Sequence, residues 1–150
     1  MTRVGSRVFI DAPVEKVFRR IAQHDSCNDW LEFVSSASYT SSENTGVGTS
    51  AHHSGQVMGR KMQWDGKVTE WTENGCIAWE AVSGTPQKMR MKAWNRVAKE
   101  GDGTSYSLEV EYLPPYSVFG KIMDLIMIRR SIRKSVQNST QNLKRILEQT

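Results

Sequence analysis

The chain has 150 residues, with 20 Lys and Arg against 16 Asp and Glu for a formal charge of +4, 38% hydrophobic residues and 24% charged. These values fit one soluble domain, residues 1–150, large enough for a core of its own and too short to hide a second. A mild basic excess gives no case for nucleic acid, and no apolar run of about 18 residues is present to span a membrane.

The opening MTRVGSRVFIDAP has no apolar signal region, which makes the cytoplasm the expected location. Cys27 and Cys76 lack metal-ligand spacing and are expected as reduced thiols. Five Trp and seven Met are many for this length. Such side chains suit either the wall of a binding cavity or an adaptable core.

Val4 to Ile10 reads as a first strand. Asp11-Ala12-Pro13 with Glu15 starts a short helix, whose apolar face is Val14, Val17, Phe18 and Ile21 and which ends near His24. A second short helix is expected over 25–32, capped by Asp25 or Ser26, with Trp30 and Phe33 at its end. From residue 34 the period changes to two. Five turns rich in Gly, Asn, Asp and Pro separate strands expected at 34–42, 47–57, 60–73, 76–82, 88–98 and 104–113. Short turns make successive strands antiparallel neighbours.

Alternation sorts the faces. Met62, Trp64, Gly66 and Val68 share one side, as do Ile77, Trp79 and Ala81, then Met89, Met91 and Ala93, then Tyr106, Leu108, Val110 and Tyr112. Glu80, Arg90, Lys92, Arg96, Glu109 and Glu111 fall opposite, as on a solvated surface with cross-strand pairs. Pro114 and Pro115 stop the last strand, and a helix is expected from near Ser117 to Gln149. Its apolar stripe is Val118, Ile122, Leu125, Ile132, Val136, Leu143 and Leu147. About thirty residues at 1.5 Å each span about 45 Å, so this helix must lie across something broad.

The order strand, two helices, six strands, long helix describes an α+β fold. In it a curved seven-stranded antiparallel sheet is covered by one amphipathic helix packed across it. A bent sheet and a straight helix do not meet everywhere, and the gap is a candidate cavity.

The stretches IDAPVEKVFRRIAQHDSCNDWLEFV, GKVTEWTENGCIAWEA and DGTSYSLEVEYLPPYSVFGKIMDLIMIRRSIRK resemble the START-like superfamily of polyketide cyclases, dehydrases and lipid-transfer proteins. The resemblance covers nearly the whole chain and implies the helix-grip fold around a hydrophobic pocket. It implies function only broadly, since enzymes and carriers share that fold. Two departures stand out: Leu31 follows Trp30 where the family often has proline, and no Arg and Tyr constellation of the aromatase/cyclases is matched. No catalytic residue is therefore carried over.

Among polar residues, His52 and His53 are adjacent on a strand, point to opposite faces and cannot easily share a metal ion. One of them is expected to face inward. Arg129 falls within the helix stripe, where a charge needs a partner: a ligand anion, or a sheet glutamate. Arg129, Arg130, Arg133 and Lys134, with Phe119, Met123 and Met127, form either a solvated helix face or a patch for transient contact with an anionic membrane. No nucleophile elbow, phosphate loop or dinucleotide fingerprint is present, and neither a metal nor a cofactor is expected.

The expectation is thus a binding or carrier protein for a small hydrophobic molecule such as a lipid, quinone or polyketide, held between sheet and helix. Trp30 and Phe33 would stand near the entrance, with Met62, Trp64, Trp79, Met91, Leu108, Val110, Ile122 and Ile126 on the walls and Arg129 nearby. Two alternatives stay open. One is a cyclase or dehydrase using Tyr39, Tyr106, Tyr112 or a histidine in the same cavity; the other is an interaction module without a ligand.

Overall fold

In the computed structural model the described residues are 2–57, 59–85, 90–113 and 121–149, with side chains omitted at 57, 85 and 121–125. The seven strands are β1 (Thr2–Ile10), β2 (Val34–Tyr39), β3 (Ser50–Val57), β4 (Arg60–Thr72), β5 (Cys76–Thr85), β6 (Arg90–Glu100) and β7 (Gly103–Leu113). They form a single antiparallel sheet in the order β1-β7-β6-β5-β4-β3-β2. Consecutive strands from β2 to β7 are neighbours, as the turn-rich connections of the sequence imply, the first of them running over 40–49; β1 then closes the free edge of β7, pairing from Thr2↔Tyr112 to Ile10↔Thr104. The expected Ser83–Pro86 turn is corrected at its start, because Ser83 and Gly84 still pair with Asp65 and Trp64 of β4. Register shifts at Asp65/Gly66 and Val68/Glu70 add local twist to the longest strand, which helps the sheet curve.

Helix α1 (Val14–Ala22) follows Pro13, whose ring presets the backbone just ahead of the first turn, and it buries Val17, Phe18 and Ile21. The expected second helix is instead a 3₁₀ helix, His24–Asp29, interrupted at Ser26. Asp25, Ser26, Asn28 and Asp29 compete with the backbone for hydrogen bonds. Thus the Ser26 hydroxyl donates to the Gln23 carbonyl and accepts from Arg20, whose guanidinium also reaches Asp29 at 2.9 Å.

The inner face of the sheet and the helices share one core, which includes Val4, Val8, Ile10, Met62, Val68, Ile77, Val97, Tyr106, Leu108 and Val110. Each buried side chain of this kind contributes about 1.5–3 kcal/mol. The long helix α2 (Lys121–Glu148) packs chiefly on β1 and then β7, with Val136, Leu143 and Leu147 buried. Polar contacts pin its C-terminal half. The Ser139 hydroxyl accepts from the Glu32 N–H, Ser6 and Thr140 share a hydrogen bond, and the Asn142 amide donates to the Trp30 carbonyl.

Toward its N-terminus the stripe continues through the half-buried Ile128 and Ile132, while Arg129 is exposed. The expected place of Arg129 in the stripe is therefore corrected. The contacts of Ser139, Thr140 and Asn142 fix how α2 lies on β1, and in that placement Arg129 faces solvent rather than the core, where a guanidinium would be costly. The outer face carries the expected pairs: Arg3 reaches Glu109 and Glu111, and Arg96 reaches Glu109. Trp94 lies flat among Arg3, Lys92 and Arg96. The remaining residues of the helix start, including Ser117, Val118 and Phe119, and Met89 of the sixth strand, lie outside the described residues.

Candidate functional site

A cavity opens against the concave face of the sheet. Strands β3 to β7 contribute His53, Trp64, Gly66, Trp79, Ala81, Met91, Ala93, Asn95 and Leu108, and residues 21–34 contribute Ile21, His24, Trp30, Leu31, Phe33 and Val34. Its free space is about 590 Å³ counted out to the open mouth.

Two imidazoles form the polar centre of this lining. His53 stands directly across from Trp64 in the β3–β4 register, and their rings stack at 5.0 Å and 3°. His24, at the start of the 3₁₀ helix, stacks on Trp79 at 3.8 Å. The two histidines then meet edge to face, Nε2 to Nε2 at 2.6 Å. One Nε2 donates and the other accepts, so the pair holds one shared proton between two neutral rings. The Tyr39 hydroxyl accepts from the His24 backbone N–H and donates to the Ala22 carbonyl, which fixes the histidine at the end of α1. On the sheet side Gly66 makes the seat: a Cβ there would stand 2.9 Å from His53 Cε1 and 3.3 Å from the Trp79 ring. Gly55 is required nearby, since its Cβ would collide with the Phe33 carbonyl where the chain crosses into β2.

Burial sets the electrostatics. Desolvation first, then the neighbouring His53, pushes His24 down to about 3. Desolvation, against a partly compensating backbone contact at Trp64, pushes His53 down to about 4. Both are uncharged at neutral pH. Neither is a strong base there, because a conjugate acid that gives up its proton at pH 3 to 4 takes one poorly at pH 7. A second buried pair lies next to them. The Tyr106 hydroxyl donates to Asn95 Oδ1 at 2.7 Å, and the Asn95 amide donates to the Ile77 carbonyl. Burial holds the Tyr106 phenol well above its ordinary value.

Of the residues expected at the site, Trp30, Phe33, Trp64, Trp79, Met91 and Leu108 line the cavity. Met62 and Val110 are buried in the core instead. Ile126 is 49% exposed and Arg129 is exposed, so the described part of α2 adds no wall. Ile122 has its side chain outside the described residues. The wall facing the sheet comes from residues 21–34, because α2 is drawn to β1 by its own pinned half.

His53 proves to be the inward histidine; His52 points outward to Asp65 at 2.8 Å. His24 and Asn95 were missed, though both had a signal. His24 lies three residues past Ile21, continuing the apolar spacing of α1 just beyond its end, and Asn95 continues the alternation Met91, Ala93. No group of three or more metal-ligating side chains occurs among the described residues.

A curved antiparallel sheet, a long helix against it and an aromatic cavity beneath define the helix-grip, START-like class. The chain belongs to the polyketide cyclase/dehydrase and lipid transport family, whose model matches residues 1–148. Among solved structures it is similar to TTHA0849 from Thermus thermophilus, at 21% identity and TM-score 0.82 over 97% of both chains. It is also similar to a START superfamily protein from Mycobacterium smegmatis, at 15% identity and TM-score 0.80 over 98% of this chain and 97% of that one. The Zhui aromatase/cyclase from Streptomyces sp. R1128 follows at 12% identity and TM-score 0.70, covering 97% and 95%. At these identities the likeness is one of fold. No curated protein matches the sequence.

Proposed function

We propose that the protein binds and carries a small, mostly apolar molecule in the cavity between the sheet and residues 21–34. The observation that carries this reading is the lining itself: four aromatic side chains, Trp30, Phe33, Trp64 and Trp79, around free space whose described lining contains no Lys or Arg. Apolar walls with few polar groups recognise a ligand by area and orient it by one or two hydrogen bonds. Membership of a family described by both cyclases and lipid transport supports a ligand in this place and leaves the choice to chemistry.

Chemistry favours carriage over cyclase or dehydrase catalysis. The imidazoles are poor bases at neutral pH, and Tyr106 is committed to Asn95. The described residues include no helix long and apolar enough to cross a membrane, and both cysteines are free, which suits work in the cytoplasm. The half-exposed Ile126 and Met127, followed by exposed Arg129, Arg130, Arg133 and Lys134, suit brief contact with an anionic membrane during loading.

Native mass spectrometry of the protein as purified from cells, with extraction and identification of bound compounds, tests the carrier reading. A copurifying apolar molecule is expected. No bound compound and no affinity for a panel of lipids, quinones and polyketides would overturn it.

A further inference from the structure

The buried polar atoms of this protein are unevenly satisfied. Thr49, Thr104, Asn95 and Tyr106 all have hydrogen-bond partners. Trp30, only 2% exposed, buries its indole Nε1 with none, and His53, 3% exposed, buries Nδ1 in the same state. Both side chains line the one cavity described above. The other such atom among the described residues, the Thr69 hydroxyl, is outside that lining.

A buried donor without an acceptor is costly, and nothing in the packing of Trp30 requires it: phenylalanine would fill much of the same apolar space without that cost. An indole nitrogen can only donate, so its missing partner is an acceptor. That acceptor carries no full negative charge, since the described lining holds no Lys or Arg, already includes the Glu80 carboxylate, and turns its two imidazoles toward each other. A carboxylate or phosphate would enter this space uncompensated.

We propose that Trp30 Nε1 is the specificity-determining donor of the cavity and that the ligand is an uncharged, largely apolar compound of one or two rings bearing a carbonyl oxygen. That oxygen accepts from the indole, and the rings lie among Trp64, Trp79 and Phe33. This deepens the carrier reading and rests on it. The anchor expected at Arg129 is thereby replaced by a neutral one.

The test uses 1-tetralone and its hydrocarbon counterpart tetralin, with the wild-type protein and Trp30→Phe, by isothermal titration. The ketone is expected to lose about tenfold in affinity in the variant, as for one neutral hydrogen bond, while tetralin stays within about twofold. Comparing the ratio cancels the different solubilities of the two probes. The wild type alone gives a second readout: the carbonyl stretch of bound tetralone should lie at lower frequency than in a hydrocarbon solvent. Equal losses for both probes, or an unshifted carbonyl band, would overturn the assignment while leaving carriage intact. Failure of both probes to bind wild-type protein would remove the carrier reading for molecules of this size and the assignment with it.

Discussion

Two buried polar pairs sit side by side on the concave face, and they differ in what they leave over. Asn95 and Tyr106 form a closed unit: the phenol donates to the amide oxygen, and the amide donates to the Ile77 backbone. His24 and His53 form an open one, joined at Nε2, with His53 Nδ1 and the nearby lining residue Trp30 unpartnered at their nitrogens. Satisfied polar groups in a core specify one packing arrangement; unsatisfied ones raise its energy until something arrives to meet them. The closed pair is architecture, and the open pair belongs to the ligand site proposed above.

The contrast is sharpest in acid. An unfolded histidine takes a proton near pH 6.5, whereas in the fold burial pushes His24 down to about 3 and His53 down to about 4. Between these limits the unfolded chain binds more protons, so stability is present above pH 6.5 and is lost as pH falls toward 4. Urea denaturation should show a loss of about 2 kcal/mol per histidine between pH 6.5 and 5, where carboxylates still titrate little. The double variant His24→Phe, His53→Phe should flatten that slope. An unchanged slope in the variant would place the proton uptake elsewhere.

Breaking the closed pair should cost about 1–3 kcal/mol at every pH, because Tyr106→Phe strands the Asn95 oxygen in the core. Replacing both partners, with Asn95→Leu and Tyr106→Phe together, should recover part of that loss, since neither polar group is then left alone. Urea midpoints at pH 7 and 5 measure both. A single-variant cost below about 0.5 kcal/mol would erase the distinction between the pairs.

How much of this was legible beforehand follows from what each residue answers to. The period-two stretches and their turns state the sheet almost strand by strand, because alternation is imposed locally by the pleat. The inward set Met62, Trp64, Gly66 and Val68 is read in the same way. Trp64, Trp79, Met91 and Leu108 line the cavity for that reason. The errors arise where position depends on distant contacts. Whether Met62 or Trp64 touches the free space depends on sheet curvature, and whether Arg129 faces the core depends on how Ser139, Thr140 and Asn142 pin α2 onto β1 and the loop before β2. The meeting of His24 with His53 joins residues 29 positions apart, and no local period announces it.

A smaller perturbation separates the pairs without touching a hydrogen-bonding atom. In Gly66→Ala the new methyl would stand 2.9 Å from His53 Cε1 and 3.3 Å from the Trp79 ring, so the imidazole must give way. The neighbour in its path is a buried ring stacked on Trp64, not a flexible chain end, and a cost of about 1 kcal/mol at pH 7 is expected. The Asn95 and Tyr106 bonds are untouched by the methyl and should keep their full effect. A displaced His53 should lose its close approach to His24 and part of its burial, so its titration should move back toward the ordinary range and the acid slope should become shallower. Histidine NMR titrations of the variant read this directly. If His53 still holds its low value while stability drops, the glycine serves only the packing of Trp79, and the open pair owes its state to the strands rather than to the seat beneath it.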